Sequence, residues 1–278
     1  SEQKDGKIPI RLLNLNHIPI TLCSGLNLGT AQIVMNVVVN TCVKTNEEFS
    51  NILLKDSELS SENNILLTNL LQKYQYLFAK DEYDLGTSTV VKHSIIVNDE
   101  TPIAQRPYRI PHALREECGR QIKGMLEHGI IRQSASPWAS PIVMVKKKEG
   151  TLRFCVDYRK LNAITRKDTF PLPRIDEMLD RLGQAQFFTI LDLQSGFWQI
   201  EMEEVDKSKT AFTTGEGLYE FNVLPFGLTG SPPTFQRCMN FVLMDVSHAM
   251  VYIDDIIIFS KSFEEHLNDI EGVFKRLL

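Results

Sequence analysis

Met250-Val251-Tyr252-Ile253-Asp254-Asp255-Ile256-Ile257-Ile258-Phe259-Ser260 decides the fold. Two apolar, β-branched runs flank an adjacent acid pair, which predicts a hairpin with a strand on either side of Asp254-Asp255. The same anomaly occurs upstream, where Asp192 interrupts Phe187-Phe188-Thr189-Ile190-Leu191 and Leu193. Loss of water disfavours the charged form of a carboxylate, so acids inside apolar strands are costly and their pKa rises. A divalent cation removes that penalty, and hard carboxylate oxygens suit Mg²⁺, which keeps waters and takes one or two carboxylates plus substrate phosphates. Taken alone, Asp254-Asp255 reads more simply as the polar tip of a hairpin, because Asp is a common turn residue. The combination changes this: an acid ending one strand, a helix after it and an acid pair on a later hairpin bring three carboxylates to one sheet edge. Two cations about 3.5–4 Å apart at such an edge suit phosphoryl transfer.

Working outward, residues 263–278 carry Leu267, Ile270, Phe274 and Leu277 on one helical face. Before the hairpin, Ser231 as N-cap and Pro232 at N1 open a helix continued inward by Phe235, Met239 and Val242. Residues 187–193, 197–202, 210–214 and 218–224 read as strands. Ile175, Met178, Leu179 and Leu182 mark a short helix closed by Gly183, and Leu114, Cys118, Ile122 and Met125 a longer one ending at Gly129. Residues 142–146 and 152–156 predict a hairpin with the basic tip Lys147-Lys148-Glu149-Gly150. Leu66, Leu70, Tyr74 and Leu77 predict a helix that leads into this region. Residues 47–64, rich in Ser, Asn and acids, read as a linker, and β-branched runs at 8–15, 18–23 and 32–39 suggest a small β element before it. No Asp-Thr-Gly or Asp-Ser-Gly triplet occurs, which excludes an intact aspartic protease.

The chain of 278 residues holds 30 basic and 35 acidic groups, a formal charge of −5 that argues against a nucleic-acid binder. The distribution is uneven. Residues 1–100 carry 8 basic and 12 acidic groups, 101–175 carry 15 and 6, and 176–278 carry 7 and 17, giving −4, +9 and −10. The basic third suits phosphate or is a solvated surface. Five cysteines without a C-x-x-C pair fit neither a disulfide framework nor a zinc knuckle and read as reduced, mostly buried thiols. No apolar run approaches a membrane span, and an intracellular protein without a membrane partner is expected.

Tyr252-Ile253-Asp254-Asp255 resembles the Tyr-x-Asp-Asp box of reverse transcriptases, and Leu191-Asp192-Leu193-Gln194-Ser195-Gly196-Phe197-Trp198-Gln199-Ile200 resembles their first palm motif. Asp157-Tyr158-Arg159-Lys160-Leu161-Asn162, Phe170-Pro171-Leu172-Pro173, Leu224-Pro225-Phe226-Gly227-Leu228 and Gln105-Arg106-Pro107-Tyr108-Arg109 follow the order and spacing of the gypsy-type LTR retrotransposon branch. The resemblance implies an α+β fold, the fingers and palm of a right-hand polymerase, with an antiparallel palm sheet and packed helices over residues 84–278. Residues 47–83 are then a linker and helix, and 1–46 a β-rich segment joining protease to polymerase.

The resemblance further implies RNA- and DNA-directed DNA synthesis. Asp192, Asp254 and Asp255, with the carbonyl of Leu193, would hold two Mg²⁺ ions, or Mn²⁺ in their place. The primer 3′-hydroxyl then attacks the α-phosphorus of a dNTP and pyrophosphate leaves. Lys147 and Arg153 match residues that hold the triphosphate; Gly196, Phe197 and Phe226 match the nucleotide site, Phe197 being the ring that excludes a 2′-hydroxyl. Arg159 and Tyr252 match nucleic-acid contacts, although pairing with Asp157 accounts for Arg159 equally well. Phe226 stands where retroviral enzymes have Gln, Gly230-Ser231-Pro232-Pro233 where Asn-Ala-Pro is usual, and Trp198 where His is frequent. The implied partners are a primed RNA or DNA template, dNTPs and the remaining polyprotein (protease, RNase H, integrase). The implied location is the cytoplasm, virus-like particles included. Because the chain opens at Ser1 and stops within a helical pattern, with no thumb, RNase H or integrase motif, a fragment is expected. The competing expectation is a non-catalytic nucleic-acid-binding remnant.

Overall fold

The structure, a computed structural model, describes residues 35–39, 59–146 and 150–278. The strands expected at 8–15 and 18–23, the first residues of the one at 32–39, Cys23, Cys42 and Lys147 lie outside the described residues. The strands are β1 (Met35–Val39), β2 (Ser88–His93), β3 (Ile131–Gln133), β4 (Ser140–Lys146), β5 (Leu152–Val156) and β6 (Phe187–Asp192), then β7 (Ile200–Met202), β8 (Phe212–Thr213), β9 (Leu218–Phe221), β10 (Ala249–Tyr252) and β11 (Asp255–Ser260). The helices are α1 (Ser61–Lys73), α2 (His112–Glu127), α3 (Arg159–Ile164), α4 (Ile175–Leu182), α5 (Glu204–Lys207), α6 (Ser231–Val242) and α7 (Phe263–Leu277). The expected α+β class holds.

One sheet runs in the order β1-β6-β11-β10 and carries all three acids. Strands β6, β11 and β10 are antiparallel, as expected, whereas β1 joins as a parallel neighbour of β6. A second sheet runs β3-β9-β8-β4-β5, with the β4–β5 hairpin at its edge, and β2 pairs with β7 in parallel. Alternation along the first sheet decides which face is covered. Thr189, Leu191, Val251, Ile256 and Ile258 are buried in the main core, while Ile190 on the other face is 37% exposed. Helix α7 covers the buried face, and α1 packs behind it through Tyr74 and Phe78 against Phe274, with ring centroids 5.3 and 5.7 Å apart.

Three details differ from expectation for local physical reasons. The buried stripe of α1 is Leu67 and Leu71, followed by Tyr74 and Phe78, while Leu66 is 46% exposed. The doubled leucines Leu66-Leu67 and Leu70-Leu71 permit two helical registers one residue apart. Residues 196–199 form a 3₁₀ turn, not the start of a strand, because Ser195 takes the left-handed conformation (φ 45°) and turns the chain; the strands expected at 197–202, 210–214 and 218–224 contract to β7, β8 and β9. Ser231 is the first residue of α6, and Gly230 is the N-cap. An N-cap hydroxyl accepts from the second or third helical N–H; the Thr234 N–H, third after Ser231, instead donates to the Gly230 carbonyl at 3.2 Å, and Ser231 Oγ donates to the Pro225 carbonyl at 2.8 Å.

Two buried histidines tie helices to sheets. His266 of α7 is 1% exposed, with Nε2 2.8 Å from Thr189 Oγ1 and Nδ1 2.9 Å from Ser260 Oγ, which in turn donates to Asp269 at 2.6 Å. His93 Nδ1 lies 2.8 Å from Thr234 Oγ1 of α6. Among the described residues, Cys118 and Cys238 are buried free thiols and Cys155 is half-buried, and no helix is long and apolar enough to cross a membrane.

Burial pushes both imidazoles down from 6.5 to about 4. A depressed histidine pKa contributes stability that is present above pH 6.5 and lost as pH falls through about 4, roughly 3 kcal/mol per group. Urea titrations across this window are expected to show stability falling, with a shallower fall in His266→Asn; equal slopes would refute the assignment.

Candidate active site

Asp192 ends β6 and Asp255 opens β11, and the register places them directly opposite. Asp255 also pairs with Tyr252 of β10, so Ile253 and Asp254 form a two-residue hairpin turn. The Leu193 N–H donates to the Asp254 carbonyl at 3.0 Å, joining the end of β6 to this turn. All three acids therefore meet at one end of the sheet, on backbone set by the buried apolar face.

Their electrostatics are those of an acid cluster. Asp254 is pushed up from 3.8 to about 6, first by burial, then by Asp192 and Asp255, with Arg153 opposing the shift. Asp192, open to solvent on one side, is raised by partial burial and then by Asp255. Asp254 Oδ1 is buried with no hydrogen-bond partner among the described residues. Gly196 explains how this carboxylate fits. A Cβ there would lie 2.6 Å from Phe235 Cζ and 2.9 Å from Asp254 Oδ1, so only glycine leaves room.

A cleft of about 890 Å³ opens in front of the acids, with Asp192, Leu193, Ser195 and Asp254 on one wall and Thr151, Arg153 and Phe154 on the other. Phe226 also lines it, and the Arg153 guanidinium sits 5.3 Å from its ring centroid, within cation–π range. Among the described residues Arg153 has no carboxylate partner. Phe197 is 6% exposed and lies behind Phe226, with centroids 5.0 Å apart, and against Phe235 at 5.3 Å. Trp198 packs edge-on to Phe226 at 5.8 Å, and Tyr83 stacks parallel to Trp198 and His128.

The Phe226 loop is held from α3. Asn162 Nδ2 donates to the Gly227 carbonyl at 2.8 Å, and its Oδ1 accepts from the Thr229 N–H at 2.9 Å. Gly227 has φ 95°, which glycine adopts without strain. Arg159 forms a two-pronged pair with Asp157 at 2.8 and 2.7 Å, and Tyr108 donates to the same carboxylate at 3.1 Å. These bonds hold Asp157 far below the usual carboxylate range. The Arg159 side chain is still 84% exposed, so the pair is a surface one.

The structure thus brings together Asp192, Leu193, Asp254, Asp255, Arg153, Gly196 and Phe226, seats Phe197 one layer behind, and leaves Arg159 on the surface. Tyr252 is half-buried beside Asp255. Asn162 and the helix α6 residue Gln236, whose side chain bonds to the acid hairpin, are absent from the sequence-based set. Asn162 closes the motif Asp157-Tyr158-Arg159-Lys160-Leu161-Asn162, but only its contacts across the fold reveal its role. Among the described residues no three His, Cys, Asp or Glu side chains form a ready-made metal cage. The orphaned Asp254 oxygen and the all-carboxylate donor set fit a hard divalent cation.

A family model described as reverse transcriptase (RNA-dependent DNA polymerase) matches residues 145–278. A model of the spumavirus aspartic protease matches residues 31–115, a stretch without an Asp-Thr-Gly or Asp-Ser-Gly triplet. The Pol polyprotein of transposon 297 from Drosophila melanogaster is 44% identical over 226 residues, covering 79% of this chain and 21% of that protein. Those of transposons opus and gypsy from the same organism are 42% and 39% identical, covering 76% and 72% of this chain. The chain spans only 22% and 20% of those two relatives. Among solved structures, the prototype foamy virus protease–reverse transcriptase superposes with a TM-score of 0.78 at 26% identity, covering 85% of this chain and 32% of that one. A foamy viral protease–reverse transcriptase in complex with double-stranded DNA gives 0.79 at 26% identity, covering 90% and 43%. One in complex with an RNA/DNA hybrid gives 0.78 at 27%, covering 86% and 32%. With the acid cluster, the cleft and the motif order all in agreement with these matches, the chain belongs to the reverse transcriptase family, in the branch of gypsy-type retrotransposon Pol polyproteins.

Proposed function

We propose that this chain is the fingers and palm of an RNA- and DNA-directed DNA polymerase that adds dNTPs to a primer 3′-hydroxyl. The carrying observation is the convergence of Asp192, Asp254 and Asp255 at one sheet end, with a buried Asp254 oxygen that has no hydrogen-bond partner among the described residues, beside a cleft lined by both Asp254 and Arg153. Asp192, Asp254, Asp255 and the Leu193 carbonyl are the groups that would hold two Mg²⁺ or Mn²⁺ ions, which when bound supply Lewis-acid activation of the hydroxyl and neutralise the leaving pyrophosphate.

The remaining roles belong to the chain. Arg153, without a carboxylate partner among the described residues and braced on Phe226, presents a planar fork suited to two phosphate oxygens. Lys147, next in sequence after Lys146, would add a compact charge. Phe226 and Phe197 form a two-ring wall that excludes a 2′-hydroxyl, with Phe226 in the cleft and Phe197 fixing it from behind. Asn162 holds the loop that carries Phe226. Arg159 and Tyr252 contact template or primer. The solved neighbours bound to duplex DNA and to an RNA/DNA hybrid support a primed template as partner, and the Pol polyprotein relatives support further polyprotein segments as covalent partners, which on this reading are protease, RNase H and integrase.

Primer extension on RNA in Mg²⁺, by this chain and by a version lengthened at its C-terminus, tests the activity. Asp254→Asn is expected to abolish incorporation while leaving the fold intact; a folded, template-bound protein inactive in both lengths would overturn the polymerase assignment. The same substitution has a stability signature. Because the native pKa is raised, the Asp254 contribution is present below 3.8 and lost as pH rises through about 6. Without divalent ions, Asp254→Asn is therefore expected to melt higher than the wild type at pH 8, the gap closing below about pH 4. Mg²⁺ should raise the melting temperature of the wild type alone.

The two-ring wall predicts that Phe226→Ala and Phe197→Ala each lower the dNTP-over-rNTP ratio of kcat/KM by about tenfold or more, on the order of 1.4 kcal/mol of discrimination. An unchanged ratio in Phe226→Ala would show that Phe197 acts without a brace.

A further inference from the structure

Gln236 of α6 is fully buried, and its carboxamide is spent on the acid hairpin. Its Oε1 accepts from the Ile253 N–H at 2.9 Å, while Nε2 donates to the Val251 carbonyl at 3.0 Å and to Asn240 Oδ1 at 2.9 Å. Strand β10 is the sheet's edge. Tyr252 pairs with Asp255, so residues 251 and 253 turn their polar groups away from β11. A neighbouring strand would meet that edge with one carbonyl and one N–H. One glutamine amide supplies both.

The held segment is strained. Ile253 has φ 55°, and it and Ser195 are the only non-glycine residues with positive φ among the described residues. A β-branched side chain in the left-handed region is a genuine outlier, and the first position of such a hairpin turn ordinarily goes to glycine. The next residue is Asp254. Its carboxylate sits in the gap left by Gly196, bounded by Phe235, the residue before Gln236. Helix α6 thus fixes the backbone entering Asp254 and also walls its carboxylate.

We propose that Gln236 is a positioning residue: by standing in for a missing edge strand it holds Ile253 in the left-handed turn and thereby aims Asp254 at the metal. This rests on the polymerase assignment above and adds a determinant of site geometry. The chemistry is specific to a neutral amide. Glutamate accepts but cannot donate to Val251 and would add a fourth acid to the cluster; methionine fills the volume and does neither.

The test uses Mn²⁺ affinity, read by water-proton relaxation, and exchange of the Ile253 amide, read by NMR, in the 278-residue chain. Gln236→Met is expected to speed Ile253 exchange at least tenfold and to weaken Mn²⁺ binding about tenfold, equivalent to ~1.4 kcal/mol. In an Ile253→Gly background, where the turn needs no support, the same replacement should cost less than about threefold. Unchanged Mn²⁺ affinity in Gln236→Met, or an equal loss in both backgrounds, overturns the proposal. Should Gln236→Met fail to fold, the wild type decides: an Ile253 amide exchanging as fast as in a free peptide also overturns it. Wild-type Mn²⁺ binding that survives Asp254→Asn with Asp255→Asn would instead sink the metal assignment, a separate outcome.

Discussion

Everything in the site depends on two like charges set opposite each other. Asp192 and Asp255 are register partners on adjacent antiparallel strands, an arrangement that repels at this spacing. What enforces it is the opposite face of the same strands. Leu191, Thr189, Ile256 and Ile258 are each 3% exposed or less, and a slip of one residue would bring them into solvent and carry the acids into the core. The hydrophobic cost of that slip, about 1.5–3 kcal/mol per large apolar side chain, exceeds the repulsion it would relieve. The core therefore stabilises a site that opposes its own assembly, and a divalent cation bound there would turn the same geometry into an attraction.

The loops around the acids follow a second rule: where a strand partner is missing, a side-chain amide from a helix supplies it. Asn162 of α3 bonds a carbonyl and an N–H of the loop that bears Phe226, and Gln236 of α6 does the same for the hairpin that bears Asp254. Both loops contain a residue with positive φ, Gly227 in one and Ile253 in the other. Glycine needs no support there, whereas isoleucine does. Buried backbone groups must find partners, and a rigid helix delivers them with less loss of freedom than a flexible loop.

The acids were legible in the sequence because charge inside an apolar strand is a local anomaly. The helices over 112–127, 175–182 and 263–277 were legible through their periodicity. Less visible were features that arise from partners distant in sequence. His266 stood inside a stripe read as Leu267, Ile270, Phe274 and Leu277, yet it is more buried than Leu267, because Thr189 and Ser260 satisfy both ring nitrogens. Ser231 matches an N-cap, but Gly230 takes that position and the Ser231 hydroxyl is spent on the Pro225 carbonyl. Phe197 and Trp198 looked like successive strand residues until the left-handed Ser195 turned them onto the same aromatic cluster.

The opposed charges of the chain, +9 over residues 101–175 and −10 over 176–278, meet in the cleft between Arg153 and Asp254. Arg153 opposes the upward shift of Asp254, yet no carboxylate among the described residues pairs with it. A salt bridge between them would neutralise both and close the cleft. Phe226 offers the guanidinium a contact that a polar residue would not: its ring face attracts the cation without occupying its N–H donors. The arginine keeps its N–H donors directed along one wall while Asp254 Oδ1 stands without a hydrogen-bond partner among the described residues, an arrangement that, under the proposed function, a triphosphate and its cations would join.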